Sequence, residues 1–255
     1  MTQQWRDLLF AHWSYEPDVV QRLLPDGVEL DTFEGRAYVA LVPFNMRHLR
    51  VRYLPPIPTT ANFAEINVRT YVISQGRPAV WFFSLDTPQL LPTAVARTAF
   101  KLPYCYAKAA VNLSGTGPGA VLTSSVERRW PTQGRSSIAV RVGQPLTPGP
   151  LEDFLTARWG LVSASRGNKL WYGPVEHEPW PLHSAELLHL DDNLVTAAGL
   201  PAPIGEPHLM FSPGVKGWPT RTAMDDRSCV GQRRSTELVS TAPGPVPDKF
   251  TAALA

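Results

Sequence analysis

Short runs of β-branched and aromatic residues recur along this 255-residue chain, and glycine or proline cuts each one before it can lengthen. Val28–Phe33 and Arg36–Met46 flank Glu34-Gly35, a hairpin signature. Phe63–Ser74 and Ala79–Asp86 flank Gln75-Gly76-Arg77-Pro78 in the same way. Further strands are predicted at Tyr104–Leu113, Ala120–Trp130, Ser136–Val142, Leu161–Ser165, Lys169–His177, Ala185–His189 and His208–Ser212. Helical signals are few and short. Pro17–Leu24 begins on proline and stops at Pro25-Asp26-Gly27, and Leu151–Trp159 carries acids in its first turn and Arg158 in its last. The second half of Pro88–Phe100 and Asp192–Ala198 complete the set. With 26 prolines and only 18% charged residues, the composition suits many turns better than long surface helices. The prediction is a mostly β (α+β) fold whose sheet closes or folds over itself.

A chain of this length holds one large core or two small ones, and all-β folds of this size are usually one domain. Residues 1–215 are read as that domain, and 216–255, which end in a Pro-rich run without apolar period, as a disordered tail. The net charge is +2, and the six basic and four acidic residues from Lys216 onward carry all of it. A neutral body leaves no electrostatic footprint for nucleic acid. Cys105 and Cys229 are far apart, no signal-peptide core opens the chain, and no run of eighteen apolar residues exists. A cytoplasmic protein with no membrane partner is expected, with a homodimer as the default assembly.

One strand carries most of the chemical information. Period two sorts Phe63–Ile73 into a face of Phe63, Glu65, Asn67, Arg69, Tyr71 and Ile73, and another of Ala64, Ile66, Val68, Thr70 and Val72. The polar set reads either as a solvated outer face or as the wall of a pocket. The neighbouring run Val80–Leu85 is apolar on both faces, which suits a strand covered on both sides and favours the pocket. There Arg69 would bind an anion, Asn67 and Tyr71 would orient a small molecule, and Glu65, its proton affinity raised by burial, would act as general acid or base.

These residues sit inside a wider pattern. The stretches LLFAHWSYEPDVVQRLLPDGVELDTFEGRAYVALVPFNM, FAEINVRTYV, WFFSLD, RTAFKLPYCYA, LEDFLTARW, HEPWPLHSAE and HLMFSPGV follow one another from Leu8 to about Val215. In them the chain resembles the YqjF-like bacterial proteins, a family built on a domain of unknown function (2071). That family is in turn similar to acetoacetate decarboxylase. The resemblance implies a single antiparallel β barrel or cone with a few short helices. It also implies that Glu65 matches a glutamate of the decarboxylase pocket. The decarboxylase works through a Schiff-base lysine whose pKa is depressed by a second lysine, in a proline-lysine-lysine sequence. The matching stretch here is Pro103-Tyr104-Cys105, so the resemblance places Tyr104 in the pocket wall and leaves no amine for a Schiff base there.

Other features reduce to local roles. His177 and His183, six apart in HEPWPLH, match no metal-ligand spacing, and His183 is placed at the pocket rim. His12-Trp13 reads as part of an N-terminal segment plugging the barrel. Cys105 reads as a buried structural cysteine, and Ser114–Gly119 as a loop without the lysine of a phosphate cradle. No metal and no cofactor are expected. The functional expectation is an enzyme, lyase- or hydrolase-like, acting on a small oxygenated or carboxylate-bearing metabolite. Glu65 and Arg69 are its catalytic residues, and Asn67, Tyr71, Tyr104 and His183 bind substrate. The alternatives are a non-catalytic barrel that binds or senses such a molecule, and a structural protein whose barrel is filled by side chains.

Overall fold

Gln75 and Gly76, both at positive φ (53° and 71°), reverse the chain between two strands, β4 (Phe63–Ser74) and β5 (Arg77–Thr87). The paired positive φ is the backbone of a tight two-residue hairpin turn. In this computed structural model residues 2–50, 62–89, 102–165 and 169–218 are described. The remaining strands are β1 (Thr2–Tyr15), β2 (Glu29–Leu30), β3 (Ala37–Arg50), β6 (Tyr104–Ser114), β7 (Val121–Trp130) and β8 (Gly134–Leu146). They continue as β9 (Gly160–Ser165), β10 (Lys169–Pro174), β11 (Glu176–His177), β12 (Leu182–Asp192) and β13 (His208–Trp218). Among the described residues three short helices, α1 (Pro17–Gln21), α2 (Pro150–Thr156) and α3 (Leu194–Ala197), accompany them. The expected helix in the second half of Pro88–Phe100 and nearly all of the expected tail lie outside the described residues.

All thirteen described strands belong to one sheet; twelve follow the order β10-β9-β5-β6-β7-β8-β12-β13-β1-β3-β4-β2, β11 pairs β13 off this path, and β5 also pairs β4. Two ladders depart from the antiparallel expectation. β5 runs parallel to β6 over Leu85–Thr87 and parallel to β9 over Val80–Trp81. A parallel pair needs a crossover of a dozen or more residues, and residues 88–103 supply one between β5 and β6. One edge of β5 is thus shared end to end by two partners.

Several sequence expectations change. The N-terminal segment is not a plug: β1 lies inside the sheet between β13 and β3, because Leu8–Trp13 buries side chains on both faces. The turn at Glu34-Gly35 forms, but its ladder stops at a Phe33–Arg36 bridge, and β2 pairs with β4 instead of β3. α2 ends at Thr156, two residues before Arg158, yet Arg158 Nε still donates to the Phe154 carbonyl of its last turn at 2.8 Å while Nη1 pairs with Asp31.

The buried residues fall on two sides of the sheet. In β7 and β8 alternate residues are buried, and Leu122, Val126, Ile138, Val140 and Val142 join Leu9, Ala11, Val39, Ala64, Ile66, Val68 and the helical Leu194 in one large cluster. On the same side a buried ion pair ties β5 to β7: Arg128 Nε donates to Asp86 Oδ1 at 2.6 Å and Nη2 to Oδ2 at 2.7 Å. The opposite faces of β1, β3 and β4 meet a second cluster, where Leu8, Phe10, Val42, Phe44 and Tyr71 pack with Leu155 of α2 and with Phe154 and Trp180.

Candidate functional site

The polar row of β4 faces this second cluster and is buried, not solvated. Glu65 is 3% exposed, Asn67 2% and Tyr71 0%; Arg69 is partly buried. Same-face neighbours on a strand stand about 7 Å apart, so the row spans roughly 20 Å and divides into two ends.

At one end Glu65 lies opposite Phe44 of β3. One position along, Val42, Asn67, Leu85 and Tyr104 form a continuous row across β3, β4, β5 and β6. Tyr104 reaches over Leu85 from two strands away along the same sheet, and its hydroxyl donates to Glu65 Oε2 at 3.4 Å. Burial drives the Glu65 pKa up from its ordinary 4.5 to about 8 against the opposing Tyr104 hydrogen bond, with a smaller push from the Asp86 charge. Burial, then the Glu65 carboxylate, raises the Tyr104 phenol well above its usual range. Glu65 is therefore largely protonated at neutral pH, a buried acid beside a neutral phenol. Asn67 Oδ1 makes no hydrogen bond.

At the other end a second row, His208, His12, Ala40, Arg69 and Phe82, crosses β13, β1, β3, β4 and β5. The Arg69 guanidinium carbon lies 5.5 Å from the Phe10 ring centre and 5.7 Å from that of Tyr71. Arg69 Nε is buried without a hydrogen bond, and no carboxylate among the described residues pairs with Arg69. Cation–π contacts contribute about 0.5–2 kcal/mol, less than the several kcal/mol that desolvating a charge costs, so these rings do not offset its burial. His12 Nε2 is 2.7 Å from the Tyr71 hydroxyl, while Nδ1, beside the His208 backbone, makes no hydrogen bond. Burial, then the charges of Arg69 and His208, depresses the His12 pKa well below its ordinary 6.5 and keeps the ring neutral. Above this row Arg158 pairs with Asp31 and stacks its guanidinium on Phe154 (4.4 Å) and Tyr71 (5.0 Å). Glu152 Oε1 stands 3.1 Å from His208 Nε2, off the axis of a hydrogen bond.

The structure does not bring His183 to this row. Its Nδ1 lies 3.2 Å from the Gly143 carbonyl and its ring packs edge-on against Phe211, which belongs to the first cluster. Cys105, next to Tyr104, is buried on the other face beside Asp86. Lys108 is exposed, and Lys101 lies outside the described residues. Among the described residues no group of three or more His, Cys, Asp or Glu converges on a metal position. No helix among them is long and apolar enough to cross a membrane. A groove of about 460 Å³ opens between Leu23–Pro25, Trp81–Phe83 and Val162–Ala164; Pro103 and Phe82 carry it to the positions next to Tyr104 and Arg69, although Glu65 does not line it. His12, Asp31 and Arg158 are additions to the sequence reading. Period two puts His12 on the face of Leu8 and Phe10, but both faces of Leu8–Trp13 are largely apolar, so nothing in β1 marked it.

The family profile described as "Uncharacterized conserved protein", domain of unknown function 2071, matches residues 2–216. Uncharacterized protein YqjF of Bacillus subtilis (strain 168) is 36% identical over 226 residues, covering 87% of this chain and 91% of that protein. Among solved structures, an acetoacetate decarboxylase-like enzyme from Sphingomonas wittichii RW1 aligns with a TM-score of 0.60 at 13% identity, over 85% of this chain and 90% of that one. The enduracididine biosynthesis enzyme MppR complexed with pyruvate aligns at 0.59 and 16%, over 85% and 88%. Acetoacetate decarboxylase from Legionella pneumophila aligns at 0.57 and 14%, over 86% and 85%. These likenesses carry the acetoacetate decarboxylase-like fold. The chain belongs to the domain of unknown function 2071 family.

Proposed function

We propose that this protein is an enzyme that moves a proton on a small oxygenated, carboxylate-bearing metabolite, with Glu65 as general acid or base and without a Schiff-base lysine. The observation that carries the reading is the buried Glu65 carboxyl, its pKa lifted to about 8 and its Oε2 in contact with the Tyr104 hydroxyl. A carboxylic acid that titrates near neutrality can give or take a proton at working pH. Tyr104 and Asn67 would orient the reacting oxygen, and Arg69 would attract the anion. The resemblance to acetoacetate decarboxylase puts Tyr104 where that family carries a lysine, and Lys108 is exposed. The chemistry is thus lyase- or hydrolase-like rather than imine-forming. The return of the strand pairings through β5–β4 supports reading the sheet as a closed barrel or cone. The pocket would lie on the β4 face between the sheet and α2. We place the protein in the cytoplasm, as a homodimer with no nucleic-acid or membrane partner.

Mass spectrometry of small molecules that co-purify with the protein would identify the metabolite. Turnover of that molecule should fall about 10²–10⁴-fold in Glu65→Gln while its binding persists. Unchanged turnover would end the reading. Borohydride added with a β-keto acid should leave no adduct, and a stable one on any lysine would restore imine chemistry.

A further inference from the structure

The second end of the row holds groups that the proton-transfer reading leaves unexplained. A partly buried guanidinium has no carboxylate partner among the described residues, and its Nε makes no hydrogen bond. It stands between the Phe10 and Tyr71 rings, on the far side of Ala40 from His12. Ala40, buried between Arg69 and His12, puts only a methyl between two long polar side chains. His12 and Tyr71 add a donor. A neutral imidazole carries one N–H. With the proton on Nε2, the ring donates to the Tyr71 oxygen and the phenol O–H is free to donate elsewhere. With the proton on Nδ1, the phenol donates to Nε2 and Nδ1–H faces the His208 backbone. The first tautomer leaves the phenol O–H as the free donor of the pair.

We infer that Arg69, His12 and Tyr71 form a carboxylate-binding seat above Ala40, separate from the Glu65–Tyr104 pair. The charges around it select a monoanion. Arg158 is held by Asp31, and Glu152 stands beside His208, so Arg69 is the cation left over. A dianionic phosphate would bring a second negative charge near those two carboxylates. A planar carboxylate matches the guanidinium fork with two parallel hydrogen bonds and accepts a third from Tyr71 or His12. Residues 65 and 69 are about 13 Å apart along β4, so a carboxylate seated here is not the group that meets Glu65. The ligand is an elongated acid whose reacting end lies away from its charge. This deepens the reading of Arg69 given above and is independent of whether Glu65 transfers protons.

Thermal unfolding of the full chain, titrated with sodium butyrate or inorganic phosphate at constant ionic strength, tests the seat. Butyrate should raise the Tm of the wild type and of Glu65→Gln, and phosphate should not. Arg69→Met should abolish the butyrate shift and, without ligand, unfold no lower than the wild type, since it removes an unpaired charge. Arg69→Lys, which keeps the charge but loses the fork, should bind butyrate at least tenfold more weakly. A lower Tm for ligand-free Arg69→Met would make Arg69 structural and overturn the inference. So would a butyrate shift that survives Arg69→Met, a larger response to phosphate, or no response in the wild type. Loss of turnover in Glu65→Gln with an intact butyrate shift would separate the two readings.

Discussion

Glu65 keeps its proton because burial penalises the carboxylate more than Tyr104 stabilises it. The consequence for stability follows from linkage. The unfolded chain releases this proton near the ordinary 4.5, while the folded protein holds it to about 8. Between those values the folded state binds more protons than the unfolded one, so stability falls as the pH rises through the window and levels off above it. Below 4.5 both states are protonated and the effect vanishes. Glu65→Gln removes the dependence. Urea midpoints measured from pH 4 to 9 should therefore show the variant gaining on the wild type steadily toward pH 8. A difference that stays flat with pH would mean that Glu65 titrates normally. Tyr104 is the residue that strand pattern did not place. Nothing in its own strand marks it; only the resemblance to acetoacetate decarboxylase put it in the pocket wall. Asp31 and Arg158 were out of reach for another reason: they meet across 127 residues, and no local period encodes such a pair.

The elements that sequence read best are those whose turns and faces agree. β4 and β5 were legible because Gln75-Gly76 sets the turn and period two sorts the row, even though a bulge opposite Val68 and Arg69 shifts the register of β5. β2 shows the limit of that logic. Glu34-Gly35 reverses the chain as its chemistry demands, yet turn chemistry fixes a reversal and not a partner, and β2 found β4. β1 was misread because Leu8–Trp13 is apolar on both faces and presents no alternation to count. The β1–β13 ladder depends on a close approach that only glycine permits. Gly214 has φ +110°, and a Cβ there would meet the Trp5 carbonyl oxygen at 1.9 Å, opposite Arg6 and next to Asp7, itself at φ 54°. Gly214→Ala adds a backbone clash to an unfavourable φ and should destabilise by well over 1 kcal/mol, about the most that glycine-to-alanine changes ever return. Denaturant melts would show it, and a neutral substitution would mean that β13 slides.

At the scale of the whole molecule the sheet is one network, with the Asp86–Arg128 pair tying β5 to β7 under its large cluster. Several of its ladders are non-local, joining β1 to β13, β8 to β12 and β5 to β9, which places refolding in the millisecond-to-second range. Stopped-flow fluorescence of the indoles should give rates in that range; microsecond refolding would contradict the topology. The position of β1 sets a further condition. It is made before both of its neighbours, β3, which follows soon after, and β13, the last of the described strands. Until Phe211 and its neighbours leave the ribosome, one rail of β1 carries unpaired amides and carbonyls beside Leu9 and Phe10. The nascent chain must keep that edge from other chains from the synthesis of β1 until that of β13.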